Sequence, residues 1–230
     1  MNLRIAFIFL ANLFICQVGY AQQIAWDSVR VPDVYATQVE LFKANPPTSR
    51  DIVFLGNSIT FWGDWNFLLN RQRVKNQGIP GDTSFGVIRR IEEAVRGRPS
   101  AIFILIGIND LGRNIPDSII VRNHERIVRY IQTHSPKTKI YLQSLLPTNP
   151  TFDKVKHLYH KEENVAYINQ QLKAIAERAG AIWVDLHPHF SDEKGYLKKE
   201  YTWDGVHLTL AGYQKWAEVL REKKLVKGGK

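Results

Sequence analysis

The sequence predicts an α/β domain, a five-stranded parallel sheet covered on both faces by helices. Short runs rich in Ile, Val and Phe recur along the chain, as strands buried on both faces require. Between them lie segments whose apolar residues return every three or four positions, the spacing of a helix that buries one stripe. The two patterns alternate, which is the mark of parallel strands joined by helical crossovers.

Taken in chain order, the first residues read as an export signal. Asn2, Leu3 and Arg4 form a positive start, Ile5 to Ile15 an apolar stretch, and Gly19-Tyr20-Ala21 a small-x-small cleavage site. Residues 1–21 are therefore expected to be removed after Ala21, leaving 22–230 as a single periplasmic or secreted domain. The apolar stretch is well short of the roughly 20 residues that span a bilayer, so no membrane span is expected in the mature chain. Leu13-Phe14-Ile15 lacks the small residue that lipid attachment at Cys16 would want.

Strands are predicted at 51–55, 73–77, 101–106, 139–145 and 181–185. The first intervening helix carries Val87, Ile88, Ile91 and Val95 and ends at Gly97 and Pro99. The second carries Ile120, Ile127, Val128 and Ile131 and ends at Ser135-Pro136. The third carries Ile168, Leu172, Ile175 and Ala179, with Gly180 where a left-handed cap belongs. A last helix follows Thr209 with Leu210, Tyr213, Trp216, Ala217 and Leu220. Repeats and low-complexity tracts are absent, and about 209 mature residues suit one core.

Composition excludes several functions. Cys16 is the one cysteine and leaves with the signal, so thiol nucleophiles, thiolate metal sites and disulfides are ruled out of the mature chain. The net charge of +9 comes from scattered basic residues, read here as a solvated surface; nucleic acid binding has no motif behind it. His157 with His160, and His187 with His189, stand outside any HExxH pattern or carboxylate set, so no metal and no cofactor is expected. The glycine pairs Gly81/Gly86 and Gly107/Gly112 have phosphate-loop spacing but lack the following Lys and Ser or Thr.

In open parallel sheets ligands bind beyond the carboxyl ends of the strands. Ser58 follows the first predicted strand, Gly81 the second, Asn109 the third, and Asp204 and His207 follow the fifth, so all five are expected at one edge. A serine hydroxyl becomes a nucleophile when an imidazole takes its proton and a carboxylate orients that imidazole. Thr60 replaces the second glycine of a Gly-x-Ser-x-Gly elbow, which weakens an α/β-hydrolase reading.

Four blocks, Gly56-Asn57-Ser58-Ile59, Gly78-Ile79-Pro80-Gly81-Asp82, Gly107-Ile108-Asn109-Asp110 and Asp204-Gly205-Val206-His207, occur in this order. In them the chain resembles the SGNH hydrolases, the GDSL esterase and lipase family, from about residue 50 to 220. The resemblance implies a three-layer, flavodoxin-like α/β/α sandwich, with Ser58 as nucleophile, His207 as base and Asp204 as its orienting partner. It also implies an oxyanion hole made of the Ser58 and Gly81 backbone N–H groups and the Asn109 side-chain amide. Asn57 departs from the aspartate of the family name, in a position that supports the loop. Asp110 is expected to hold its own loop by hydrogen bonds and to take no catalytic part.

Phe61, Trp62 and Trp65 follow the nucleophile, and Tyr201 and Trp203 precede the Asp-His pair. If the five residues meet, these rings gather at the mouth, where Trp62 and Trp203 are candidate substrate-binding residues. Trp62 and Trp65 fit a helix core equally well, while Trp26, Trp183 and Trp216 read as core. The expected activity is hydrolysis of short-chain carboxylic esters, in particular O-acetyl groups on a sialate or other sugar, resembling bacterial carbohydrate acetylesterases. A lysophospholipase, thioesterase or lipid-type acetylhydrolase competes within the class, and a glycan-binding module without turnover competes from outside it.

Overall fold

The computed structural model describes residues 29–226. The expected signal at 1–21, Trp26 and the terminal 227–230 lie outside the described residues. Among those described, no helix is long and apolar enough to cross a membrane.

Five strands, β1 (Ile52–Gly56), β2 (Val74–Gly78), β3 (Ala101–Leu105), β4 (Lys139–Gln143) and β5 (Ile182–Val184), form one all-parallel sheet in the order β2-β1-β3-β4-β5. All five predicted strands are present, with no end shifted by more than two residues. The strand order reverses at β1, which pairs β2 on one side and β3 on the other. A crevice opens at such a switch point, and the segments after β1, β2 and β3 all lead into it.

Side chains of successive strand residues point to opposite faces, and the core divides accordingly. Ile52, Phe54, Phe103, Leu105, Tyr141 and Val184 face one layer with Trp65, Trp216 and Leu220. Val53, Leu55, Ile102, Ile104, Ile140 and Leu142 face the other, where the helices Ser84–Val95, Asp117–His134 and Glu162–Ala179 lay down Val87, Ile91, Ile120, Ile127, Ile168 and Leu172. This is the three-layer sandwich that the sequence predicts. On the first face an aromatic row crosses the sheet: Trp65 stacks on Phe54 at 4.0 Å, Phe54 on Phe103 at 4.8 Å and Phe103 on Tyr141 at 4.2 Å.

Trp65 is thus core and not mouth, the answer to one of the two fits that the sequence left open; Trp216 is fully buried and Trp183 only partly so. Gly180 is the left-handed cap expected, at φ +64°. The first predicted helix ends at Val95, just before Gly97, and the chain turns on through Arg98 at φ +52°. A helix before β1, Tyr35–Ala44, was not expected: of its residues only Phe42 is buried, so it carries no apolar stripe.

Candidate active site

The nucleophile block is a strand-to-helix turn held from several sides. Asn57 caps the short helix Ser58–Phe61, its side-chain oxygen accepting the Ile59 N–H at 3.0 Å, a task aspartate performs equally well. The Asn76 side-chain amide donates to the carbonyls of Thr60, Phe61 and Gly63 at 2.8 to 3.1 Å, and the Trp65 indole N–H donates to Thr60 at 2.9 Å. From the last helix, Leu210–Glu222, the Tyr213 hydroxyl donates to the Ile59 carbonyl at 2.8 Å. Core side chains therefore fix the turn that presents Ser58.

Across the crevice, residues 202–208 close into a tight loop. Thr202 and Leu208 face each other in an antiparallel bridge, and the Thr202 hydroxyl donates to the His207 carbonyl at 2.7 Å. One Asp204 carboxylate oxygen accepts the N–H groups of Val206 and His207 at 2.9 and 2.8 Å; the other meets His207 Nδ1 at 2.6 Å. The loop turns at Gly205, at φ +89°, where an added Cβ would lie 2.3 Å from the Asn149 carbonyl oxygen. Left-handed backbone and close approach together demand glycine. The Tyr159 hydroxyl donates to the Asp204 carbonyl, pinning the loop to the core.

His207 Nε2 lies 2.9 Å from Ser58 Oγ, across 149 positions of sequence. The tautomer in which Nδ1–H donates to Asp204 leaves Nε2 free to accept the Ser58 proton. Asp204 is buried, 2 % exposed, so its charge acts on the imidazole with little screening by water.

The other candidates follow β2 and β3. Gly81 follows β2 at φ +76°, a backbone conformation that L side chains rarely adopt. The Asn109 side-chain amide donates to the carbonyl of Asp82, the residue after Gly81, at 2.9 Å. Behind them lies a buried polar hub that the sequence reading missed. Arg90, 1 % exposed, places its guanidinium 2.9 to 3.0 Å from the Asp82 carboxylate and donates to the Gln77 and Gly56 carbonyls at 2.9 and 3.0 Å. One side chain thus ties the strand before Ser58 to the glycine block. Burial pushes the Asp82 carboxyl upward, and the Arg90 guanidinium pulls against it.

Asp110 corrects an expectation. It reaches beyond its own loop, accepting the Ser84 N–H at 3.0 Å and the Ser84 hydroxyl at 2.5 Å, while Asn123 donates to the same hydroxyl at 2.9 Å. It therefore binds the Asn109 loop to the start of the helix Ser84–Val95. Complete burial lifts its carboxyl to about 7, against the opposing pull of the Ser84 hydrogen bonds.

Trp62 and Trp203 are exposed, at 59 % and 51 %, and with Phe67, Leu68, Leu208, Leu210, Tyr213 and Asp64 they line one groove of about 560 Å³. Among the described residues no three His, Cys, Asp or Glu side chains are grouped to hold a metal ion; Ser191 is the hydrogen-bonding neighbour of His187 Nδ1, at 3.1 Å.

Residues 54–215, which contain every residue of this arrangement except the Ile52-Val53 start of β1 and the end of the last helix, match the model of the GDSL-like lipase/acylhydrolase family. The chain belongs to that family. It is accordingly a carboxylic ester hydrolase. The human platelet-activating factor acetylhydrolase IB subunit alpha2 is 28 % identical over 179 residues, 75 % of each chain. Among solved structures, one from Streptococcus pneumonia named for platelet activating factor is 28 % identical with a TM-score of 0.75, covering 83 % of this GDSL-type chain and 90 % of its own. An acetylxylan esterase from Geobacillus stearothermophilus shares the fold at 20 % identity and a TM-score of 0.63, covering 80 % and 98 %.

Proposed function

We propose that the protein is an exported serine esterase that removes short acyl groups, acetyl foremost, through an acyl-enzyme on Ser58. The observation that carries this reading is the unbroken chain Ser58 Oγ, His207 and Asp204, at 2.9 and 2.6 Å. As Ser58 Oγ attacks the ester carbonyl, its proton passes to His207 Nε2 and the carbonyl π pair moves onto oxygen. The imidazolium then returns the proton to the departing alkoxide as the ester C–O bond breaks. Water repeats the cycle on the acyl-enzyme and releases the acid. Asp204 keeps the imidazole in the required tautomer and offsets the charge that His207 acquires. The Ser58 and Gly81 N–H groups and the Asn109 amide hold the oxyanion; Gly81 suits its part because, without a Cβ, it lets that oxygen come close.

Two relatives support a short acyl group: one is named for removing acetyl from platelet-activating factor, the other for acetylxylan. They differ in what carries the acetyl. A carbohydrate fits the exposed Trp62 and Trp203 faces and the expected export. A lipid-type ester is the second reading, favoured by the groove itself, where seven of eight lining residues are apolar or aromatic and Asp64 is the lone carboxylate.

The test is hydrolysis of p-nitrophenyl acetate by the wild type and by Ser58→Ala, followed by acetylated sugars against esters of rising chain length. Turnover that vanishes with Ser58→Ala supports the mechanism; equal rates for the two proteins refute it. Preference for long chains would replace the carbohydrate reading with the lipid one.

A further inference from the structure

We propose that Trp203 is a positioning residue for His207, and that its indole stabilises the imidazolium formed when Ser58 gives up its proton. The proposal rests on the reading of His207 as the base. The two rings stack with centroids 5.1 Å apart and planes 14° from parallel. The face of an indole carries the negative end of its quadrupole, and a cation within about 6 Å of the centroid is attracted to it. A neutral imidazole gains little from that field, so the stack favours the state that exists once the proton has moved.

The loop maintains this contact. Trp203 N–H donates to the His207 carbonyl at 3.3 Å, so the two residues occupy facing limbs of the 202–208 turn. The neighbours of Trp203 are buried, Thr202 at 3 % and Asp204 at 2 %, yet the indole stays half exposed. Core packing therefore does not account for a tryptophan here, whereas the imidazole against its ring does. The titratable groups brought to His207 are the Asp204 carboxylate from its own loop and the Ser58 hydroxyl from the turn after β1. Asp204 fixes the ring from its edge, and Trp203 fixes it from its face.

The experiment compares Trp203→Leu and Trp203→Phe with the wild type on p-nitrophenyl acetate across pH, with Ser58→Ala and His207→Ala as controls. The His207 imidazole is also titrated by NMR in the Ser58→Ala background, where turnover plays no part. Trp203→Leu is expected to lower kcat roughly three- to tenfold and to move the acid limb of kcat/KM and the NMR midpoint to lower pH by roughly half a unit. Trp203→Phe, which keeps a weaker aromatic face, should recover part of both. An unmoved acid limb and midpoint, with KM alone raised, would make Trp203 a substrate platform and overturn the proposal, as would a shift to higher pH. Activity retained by His207→Ala would instead refute the assignment of the base, so the two failures are told apart.

Discussion

On one side of the Ser58 hydroxyl the contacts come from a loop of seven residues, 202–208, that closes on itself through Thr202, Asp204 and Gly205. The residues proposed for the oxyanion hole come instead from separate segments, tied together by side chains that never reach solvent: Asp82, Arg90 and Asp110, each 1 % exposed or less. The first half is local and exposed at its aromatic rim, with Gly205 as the position that admits no substitute. The second is a shared scaffold in which every change touches the fold. The difference teaches that the groups proposed for proton transfer and those proposed for oxyanion binding, though they would serve one reaction, draw their geometry from different kinds of stability.

Five substitutions test that contrast, in descending order of effect. Ser58→Ala should lower kcat on p-nitrophenyl acetate by a factor approaching a million, if the three side chains act as a unit, with an unchanged unfolding midpoint. A concurrent loss of stability would mean that the Ser58 hydroxyl is also structural. Arg90→Met leaves the Asp82 carboxylate buried without its partner and should cost about 3–5 kcal/mol in urea unfolding. Adding Asp82→Asn should restore part of that loss; strictly additive losses would deny the coupling.

Asp110 gives the same scaffold a pH signature. Its folded carboxyl titrates near 7, above the ordinary aspartate value of about 3.9, so the folded state holds the proton more tightly than the unfolded one. Its contribution is therefore fully present below about pH 4 and is lost as the pH rises to 7, a change of up to roughly 4 kcal/mol. Unfolding free energies of the wild type and Asp110→Asn, compared at pH 4.5 and 7.5, should converge or cross in favour of the variant as pH rises. A difference that does not change with pH contradicts the buried-carboxyl account. Smallest in energy, Asn109→Ala should lower kcat about a hundredfold while KM stays within a few-fold. A rise in KM at constant kcat would make Asn109 a substrate contact.

The same contrast explains what the sequence disclosed. Strands β1 and β3 announce themselves because both faces are buried and nearly every residue is apolar. Ser58, Asp204 and His207 stood out because their blocks occur in family order after predicted strands, and only within the last block does a short spacing, Asp204 to His207 around Gly205, carry a local signal. The scaffold was not legible: Arg90 looks like one more basic residue on a helix, and nothing local reveals that it reaches the Gly56 and Gln77 carbonyls. Asp110 was placed in its own loop because its partner Ser84 lies 26 residues away. The helix Tyr35–Ala44 escaped notice because it docks through few groups, with Phe42 beneath the Arg90 guanidinium and the Tyr35 hydroxyl on the Gly86 carbonyl. Trp65 and Trp62 look alike in sequence, but the first stacks on Phe54 and the second opens onto the groove.

The central claim is that the Ser58 oxygen is the reacting atom and that His207 makes it so. Treating the intact protein with a fluorophosphonate and mapping the adduct by peptide mass spectrometry tests it most directly. The account predicts stoichiometric labelling of Ser58, greatly slowed in His207→Ala. Labelling at another residue, or undiminished labelling of Ser58 without the imidazole, would contradict it.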